Sequence, residues 1–349
     1  SKSKYIISLI GGHEAGADQL ASDIASDLGS EAIFTSDSKT QNRIALDSFG
    51  FSWGWRRSGR AEDWKKLMLK QARGESVQLI NLSGSKLWQK SIEDSKSLFL
   101  SETEKASASS CLFIGSKHKQ ICGWHPPTIW IGVGCERNTS ASLLERALDV
   151  SLQKLSIAKE AIAGFATVDR KSDEIELLLL VQKNDWQIRF FTPEELSCIK
   201  VPNPSDTVRK EIGSPSVAEA SAILASGEGG KLLLEKNIFY SNDDEIGAVT
   251  ISIAQSQTPF APNRGELHLI GSGPGDISYL TNDARCALSR SVVWIGYEMY
   301  LDLLEPLRRI DQVRINSVIS RENDRCKQAL ELATQGVNVA LVSSGESGI

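Results

Sequence analysis

The stretch TIWIGVGCERNTS at residues 128–140 decides the fold class of the most regular part of the chain. Its first eight residues are apolar or small and predict a buried strand, and polar residues that can cap a helix follow at once. A helix is predicted over about 140–154, then a strand at AIAGFATVD, and a further helix from about Asp173. Strands that alternate with helices of this length predict an open α/β sheet.

Two later helices carry start and stop signals in the sequence. Thr192 and Glu195 form a capping box around a proline, and Ser216 and Glu219 repeat the pattern before a helix that Gly227 ends. In such a box the hydroxyl accepts a hydrogen bond from an amide of the first turn, and the glutamate accepts one from the amide of the cap residue. Two more strands, KLLLEK and GAVTISIA, complete the predicted sheet.

The α/β pattern also occurs near both ends of the chain. YIISLI precedes a glycine loop and an amphipathic helix, and LHLIGSGPGD begins the same order again. In the middle of the chain the apolar spacing is less regular and tryptophans cluster. We therefore predict several open α/β domains rather than one. The predicted segments are residues 1–42, 43–127, 128–255 and 266–349, with a proline-containing linker at 256–265.

The composition indicates an ordinary globular protein. Of its 349 residues 41% are hydrophobic and 24% are charged, and the net charge of −5 argues against a nucleic-acid partner, which usually needs a basic face. No apolar run is long enough to span a membrane. Six scattered cysteines without a C-x-x-C motif and four separated histidines predict a cytoplasmic location and no protein-bound metal. Because the first residue is serine and only two methionines occur, we expect the chain to be part of a longer protein.

The first glycine loop, in SLIGGHEAGAD, is a candidate ligand site. Gly12 and Gly16 let the backbone approach a substrate closely, and the amides of the helix that follows favour an anion. His13 lies in this loop and titrates near neutral pH, which makes it a candidate general base. The alternative is that His13 only caps or packs the turn.

The second glycine loop follows the strand of the opening stretch. Ligands of open α/β sheets bind at such strand ends, where amides and a fixed positive charge favour an acidic substrate. The hydroxyls before the next helix can also cap it. The candidate substrate-binding residues of this loop are Gly132, Gly134, Arg137, Thr139 and Ser140. Cys135 has no nearby histidine to activate it, so a structural thiol is favoured over a nucleophile.

A cluster of charged residues follows the next predicted strand. Asp169 or Glu174 can act there as a general base, and Lys171 can bind a carboxylate. The alternative is a solvated turn in which Asp173 caps a helix. Ser205, at another predicted helix start, is a further candidate for binding an acidic group.

The third glycine loop, GSGPGD, follows the strand LHLI. Its glycine spacing is neither the dinucleotide pattern nor a P-loop, so it is weak evidence by itself. A second strand farther along the chain ends in Ser-Ser-Gly, and two such loops can meet over one ligand. The candidate cofactor-binding residues are Gly271, Gly273, Pro274, Gly275, Asp276, Ser343, Ser344 and Gly345.

These motifs resemble two known families. LHLIGSGPGDISYLTNDARCAL and VALVSSGESGI are similar to the first part of precorrin-3B C(17)-methyltransferases, which are tetrapyrrole methylases. SLIGGHEAGADQLASDIASDLG, WIGVGCERNTS, TVDRKSDE and PNPSDTVRKEIGSPSVAEASAIL resemble the cobalt-precorrin-5A hydrolase family. The resemblance covers most of residues 5–36 and 128–349, whereas the tryptophan-containing middle matches only loosely.

The resemblance implies a fusion of two enzymes of the cobalt-early route to the corrin ring of vitamin B12. The hydrolase family opens the δ-lactone of cobalt-precorrin-5A and releases acetaldehyde, and the methylase family methylates C-17 with S-adenosylmethionine. Cobalt then belongs to the substrate, cobalt tetrapyrroles are the expected partners, and a homodimer is compatible with these observations. Because that methylase family binds its cofactor between two domains, we expect residues 266–349 to be a truncated α/β domain that holds half of the site and cannot methylate alone.

Three hypotheses about function follow. The first is a hydrolase with a partial methylase attached, with His13, Asp169 and Glu174 as its candidate catalytic residues. The second is a methyltransferase whose upstream half is a docking or tetrapyrrole-carrier module. The third is a non-catalytic carrier that shields a labile tetrapyrrole. The loop histidine and the charge clusters favour an enzyme over a carrier.

Overall fold

The computed structural model describes residues 5–8, 17–34, 44–91, 98–101, 111–119 and 122–345. These residues form two compact units, the first drawn from residues 1–80, 85–113 and 261–349 and the second from residues 81–84 and 114–260. One boundary between the units therefore falls between Phe260 and Ala261, inside the predicted linker. The finer division into domains stays a prediction.

The described residues contain strands, helices and single turns of 3-10 helix. In chain order the strands are β1 (Tyr5–Ser8), β2 (Glu31–Phe34), β3 (Arg56–Ser58), β4 (Val77–Asn81), β5 (Leu98–Ser101), β6 (Cys111–Ile114), β7 (Gly123–His125), β8 (Ile129–Cys135), β9 (Ile162–Val168), β10 (Gln187–Phe191), β11 (Lys231–Tyr240), β12 (Ala248–Gln255), β13 (Glu266–Gly271), β14 (Val293–Tyr297), β15 (Val313–Ser317) and β16 (Asn338–Ser343). The α-helices are α1 (Ala17–Leu28), α2 (Ala61–Ala72), α3 (Ala141–Leu155), α4 (Ile175–Lys183), α5 (Pro193–Ser197), α6 (Asp206–Ile212), α7 (Ala218–Ser226), α8 (Asn282–Arg290), α9 (Glu298–Leu304) and α10 (Glu322–Thr334).

The second unit is built on a five-stranded sheet with the order β10-β9-β8-β12-β11. Strands β8, β9 and β10 are parallel, and β12 and β11 join them antiparallel. Because parallel neighbours end at the same edge of a sheet, the loops that follow Cys135, Val168 and Phe191 all leave from one edge. The open α/β sheet predicted from the sequence is confirmed.

Strand β8 has two different faces. Ile129, Ile131 and Val133 are fully buried in an apolar cluster with the side chains of α3 and α4. Gly132 and Gly134 alternate to the opposite face, where α7 packs on the strand. The alternation of strand side chains therefore explains why one face is aliphatic and the other carries glycine.

Of the two predicted capping boxes and the predicted helix stop, one box and the stop form as expected and the other box forms only in part. The first capping box is confirmed, because Thr192 Oγ1 accepts from the Glu195 amide at 3.2 Å and the Glu195 carboxylate accepts from the Thr192 amide at 2.7 Å. The stop at Gly227 is confirmed by its φ of 71°. The second box is half formed, since Ser216 Oγ accepts from the Glu219 amide at 3.3 Å but the carboxylate of Glu219 binds elsewhere.

The first unit contains a parallel four-stranded sheet with the order β13-β16-β14-β15. Its core includes the buried side chains of Ile270, Trp294 and Val342. The indole of Trp294 donates to the Leu288 carbonyl at 3.1 Å, which ties α8 to the sheet. The α/β pattern predicted for this part of the chain is therefore confirmed.

The same unit also contains two parallel strand pairs and an aromatic cluster. Strand β1 pairs with β2, and β4 pairs with β5. The tryptophans noted in the sequence pack together, with ring centroids 6.2 Å apart for Trp53 and Trp55 and 6.4 Å apart for Trp55 and Trp88. Across the described ranges, no helix is both long and apolar enough to cross a lipid bilayer.

Candidate functional site

The loops that follow β8 and β9 are joined by the side chain of Arg137. Its Nη2 donates to the Arg170 carbonyl at 2.8 Å, and its Nη1 donates to Asp173 Oδ1 at 2.5 Å and lies 3.3 Å from Glu174 Oε1. The hydrogen bond from Arg137 is the main reason that the pKa of the Asp173 carboxyl is lowered. The two predicted ligand loops therefore form one charged cluster at the carboxyl edge of the sheet.

Glu174 lies at the centre of this cluster, with a side chain that is 8% exposed. Its Oε1 accepts a hydrogen bond from Lys171 Nζ at 3.0 Å, and its Oε2 accepts one from the backbone amide of Asn138 at 3.2 Å. Asn138 has a φ of 58°, a left-handed conformation that asparagine tolerates better than most residues. Both carboxylate oxygens of Glu174 are thus engaged, and they hold the turn after β8 against the loop after β9.

Asp169 begins a single 3-10 turn directly after β9. Its Oδ1 is buried and has no hydrogen-bond partner among the described residues. Its carbonyl oxygen accepts from the Ser172 amide at 3.0 Å, which fixes the main chain of the turn. Asp169 Oδ1 therefore accepts no hydrogen bond from the described residues, whereas both carboxylate oxygens of Glu174 accept one.

The two glycines of β8 are explained by helix packing. A Cβ at Gly132 would lie 1.9 Å from the Ala218 carbonyl oxygen, so any side chain there would displace α7. A Cβ at Gly134 would lie 3.7 Å from the Val217 Cβ, which is an ordinary contact. The predicted contacts of both glycines with a substrate stay predictions.

The predicted cap of α3 is wrong. The helix begins after Ser140, yet no side chain caps it. Ser140 Oγ instead accepts from the Ile246 amide at 3.2 Å, and Thr139 Oγ1 donates to the Glu136 carbonyl at 2.9 Å. Both hydroxyls therefore hold loops in place, Thr139 through a carbonyl of its own turn and Ser140 through an amide of a distant loop, and neither binds the helix amides that the sequence pattern suggested.

A buried carboxylate supports the loop that contains Ser205. The hydroxyl of Ser205 caps α6 by accepting from the Val208 amide at 3.4 Å. Glu219, which has no exposed surface, accepts from the amide and side chain of Asn203 at 3.1 and 2.9 Å and from the Lys236 amide at 3.0 Å. The capping-box pattern accounts for Glu219 without this role, although a single acid in a helix of apolar and small residues was a signal of a buried carboxylate.

Three predicted residues of the first glycine loop, Gly12, His13 and Gly16, lie outside the described residues. Their roles stay predictions. In the described ranges, no group of three histidine, cysteine, aspartate or glutamate side chains is placed to hold a metal ion. Burial raises the pKa of the Cys135 thiol to about 11, so this residue is a poor nucleophile at neutral pH.

In the first unit, the loops after β13 and β16 meet. The Ser272 amide donates to the Ser343 carbonyl at 2.8 Å, and a Cβ at Gly271 would lie 2.9 Å from the Cα of Gly345. Ser344 lies between Ser343 and Gly345 in the sequence. The two loops that the sequence suggested as partners are therefore adjacent.

The turn after β13 has the open backbone expected of a ligand loop. Gly273 and Gly275 have φ values of 70° and 109°, and a Cβ on either would meet open space. Pro274 lies between them. Asp276 Oδ1 accepts from the Ser278 amide at 2.8 Å, and this hydrogen bonding lowers the pKa of the carboxyl. The predicted contacts with a cofactor stay predictions.

Models of one protein family match two parts of the chain. The cobalamin synthesis G N-terminal model matches residues 1–39, and the cobalamin synthesis G C-terminus model matches residues 129–254. Arg137, Asp169 and Glu174 all lie within the stretch that matches the C-terminus model, so the charged cluster falls in this part of the chain.

Known proteins are similar to the chain over stretches of different length. The cobalt-precorrin-5A hydrolase of Priestia megaterium is 28% identical over 269 residues, which cover 72% of this chain and 69% of that protein. The precorrin-3B C(17)-methyltransferase of a Sinorhizobium species is 38% identical over 85 residues, which cover 24% of this chain and 33% of that protein. The chain thus spans about a third of the methyltransferase, and its similarity to the hydrolase is the more extensive.

A solved structure is also similar to part of the chain. The crystal structure of CobE, a protein from the cobalamin (vitamin B12) biosynthetic pathway, is 29% identical, with a TM-score of 0.33. The similar stretch covers 37% of this chain and 91% of the CobE chain. The family models and the two relatives assign the chain to cobalamin biosynthesis, with a hydrolase-like part and a partial methyltransferase-like part.

Proposed function

We propose that this chain hydrolyses the δ-lactone of cobalt-precorrin-5A and releases a two-carbon unit as acetaldehyde. The similarity to a cobalt-precorrin-5A hydrolase over 72% of the chain supports this activity. The observation that carries the proposal is the contrast between two carboxylates of one loop. Asp169 has a buried oxygen with no donor among the described residues, whereas both oxygens of Glu174 are engaged.

Lactone opening requires a base that takes a proton from the attacking water. We assign this role to Asp169, because its Oδ1 accepts no hydrogen bond from the described residues, whereas Glu174 is bound to Lys171 and to the backbone amide of Asn138. The carbonyl oxygen of the lactone becomes negative when water adds, and a positive or amide donor stabilises it.

Release of acetaldehyde requires a second step. Opening the lactone leaves a hydroxyl on the two-carbon unit, and a base removes the proton of this hydroxyl. Its oxygen becomes the aldehyde oxygen as the carbon–carbon bond breaks, and the electron pair of that bond passes into the tetrapyrrole ring, which takes up a proton. His13 is a second candidate base for either step, proposed from the sequence because it lies in a glycine loop.

The test is an anaerobic incubation of the chain with cobalt-precorrin-5A, with acetaldehyde measured as the product. We expect release by the natural chain, a loss of at least about a hundredfold in Asp169→Asn, as for removal of a general base, and no change in Asp149→Asn. Asp149 is an exposed acid on α3 and provides the matched control. No acetaldehyde from the natural chain would overturn the activity. A full rate in Asp169→Asn would overturn the assignment of the base, and His13→Ala tests the rival.

We also propose that the methyltransferase-like part supplies half of a site for S-adenosylmethionine. The similarity to a methyltransferase over 85 residues supports this, as does the buried Ser272 hydroxyl, which has no hydrogen-bond partner in the described part of the chain. Gly273, Gly275 and Ser343 would hold the cofactor, which supplies a methyl group when bound. Since the chain spans only 33% of the Sinorhizobium methyltransferase, we expect weak or no binding of S-adenosylmethionine in a calorimetric titration. Tight binding would overturn this expectation.

Cobalt tetrapyrroles are the proposed partners of both parts, and cobalt belongs to the substrate rather than to the protein. We propose a cytoplasmic location from the sequence alone, because the six cysteines are scattered and include no C-x-x-C motif.

A further inference from the structure

The guanidinium of Arg137 is bound by two carboxylates of different character. Glu174 is 8% exposed and is held in place by Lys171 and the Asn138 amide. Asp173 is 69% exposed, and its side chain is bound to Arg137 at 2.5 Å. One carboxylate is therefore a fixed part of the loop, and the other covers Arg137 from the solvent side.

An exposed ion pair of this kind contributes little to stability. Arg137 is itself 55% exposed, so water and salt screen its attraction to Asp173 and the pair adds little to the stability of the fold. A carboxylate from solution can replace Asp173 at a small cost, because one carboxylate on the guanidinium is exchanged for another. Glu174 cannot be replaced in this way, since its removal would leave Lys171 and a backbone amide without their partner.

We propose that Asp173 is a displaceable counter-ion that occupies the place on Arg137 where a carboxylate arm of the tetrapyrrole substrate binds. Asp173 is then a specificity-determining residue, because a ligand must supply a carboxylate to take its place. The inference rests on the proposed function, which provides the class of ligand, a polycarboxylic cobalt tetrapyrrole.

The contact between Asp173 and Arg137 predicts that replacing an acidic residue of the site increases the affinity for the ligand. Replacing an acidic residue at a binding site usually removes a contact, whereas Asp173→Asn removes a competitor and should tighten binding. The neutral amide keeps the size of the side chain but binds the guanidinium less strongly than a carboxylate does. The expected gain in affinity is about two- to fivefold, the equilibrium factor that corresponds to the energy of one exposed pair.

The test uses cobalt uroporphyrin, a non-reacting polycarboxylic tetrapyrrole, titrated into the full chain and followed by its visible absorbance. Asp173→Asn should lower the Kd about two- to fivefold, and Arg137→Gln should raise it. The matched control is Glu145→Gln, which removes the same charge from another exposed pair, that of Glu145 with Lys183 at 3.1 Å. This control should leave the Kd unchanged, and circular dichroism checks that each variant is folded.

Several outcomes would overturn the inference. These are an unchanged or weaker affinity in Asp173→Asn, an equal gain in Glu145→Gln, or no binding by any form of the chain. The result separates from the proposed function, because binding is measured without turnover. If the natural chain releases no acetaldehyde but Asp173→Asn still binds the probe more tightly, the function fails and the counter-ion role stands. If acetaldehyde is released normally and the affinities do not differ, the counter-ion role fails and the function stands.

Discussion

A Cβ placed on Gly132 would lie 1.9 Å from the carbonyl oxygen of Ala218, so the backbone of α7 occupies the space that a side chain would need. Helix and strand can approach this closely because residue 132 has no side chain. The contact lies directly before the loop that carries Arg137, and it sets the position of the strand end relative to α7.

The substitution Gly132→Ala should destabilise the second unit. Because the obstructing atom belongs to a helix backbone, the strand or the helix must move, and we expect a loss of about 1–3 kcal/mol in the free energy of unfolding. Native-state hydrogen exchange of peptides from β8 and α7 measures this change within the unit. The matched control is Gly134→Ala, where the new Cβ would lie 3.7 Å from its nearest neighbour. Equal effects of the two substitutions would contradict the packing explanation.

The substitution Glu174→Gln should loosen the turn after β8. The amide keeps the shape of the side chain but loses the charge that binds Lys171 at 3.0 Å, and its nitrogen cannot accept a hydrogen bond. We expect a loss of about 1–3 kcal/mol in the free energy of unfolding of the second unit, with faster hydrogen exchange at the Asn138 amide. Glu145→Gln, in an exposed pair, should cost less than about 1 kcal/mol. Unchanged exchange at Asn138 would show that Glu174 does not hold this turn.

The substitution Thr192→Ala should destabilise α5. It removes the hydroxyl that accepts from the Glu195 amide at 3.2 Å, and loss of such a cap typically costs about 1 kcal/mol. Thr192→Ser keeps the hydroxyl and should retain most of the stability. Hydrogen exchange of the peptide that contains α5 measures both variants, and a serine variant as unstable as the alanine variant would argue against the cap.

The thiol of Cys135 should resist alkylation at neutral pH. Burial raises its pKa to about 11, so the protonated form, which is a weak nucleophile, prevails below that value and the thiolate forms only as the pH rises through it. We expect iodoacetamide at pH 8 to label the exposed Cys198 first, as measured by mass spectrometry. Labelling of Cys135 as fast as Cys198 would mean that the strand end is open to the reagent and that Cys135 must be reconsidered as a nucleophile.

Local signals in the sequence predicted the architecture well. The alternation of apolar strands and helices, the capping box of Thr192 and the stop at Gly227 are all confirmed. These features depend on residues a few positions apart, and the backbone geometry that they favour is nearly independent of the rest of the chain. The position of the charged cluster was also predictable, because parallel strands end at the same edge of a sheet.

The roles within the cluster were not predictable from the sequence. Asp169 and Glu174 were equal candidates for the general base, and the difference between them comes from the Asn138 amide, which is 36 residues away along the chain from Glu174. The cap expected of Ser140 was wrong for the same reason, because its hydroxyl binds the Ile246 amide, 106 residues away. No local pattern encodes which distant donor a polar side chain will meet.

The sequence by itself thus determined the α/β class, the order of the elements over residues 128–255 and the residues that reach the carboxyl edge of that sheet. Only the tertiary structure decided what those residues do, because hydrogen-bond partners and close backbone contacts arise when distant segments pack together. Gly132 illustrates the difference: the sequence suggested a ligand loop, whereas the packed structure brings the backbone of α7 to the same face of the strand.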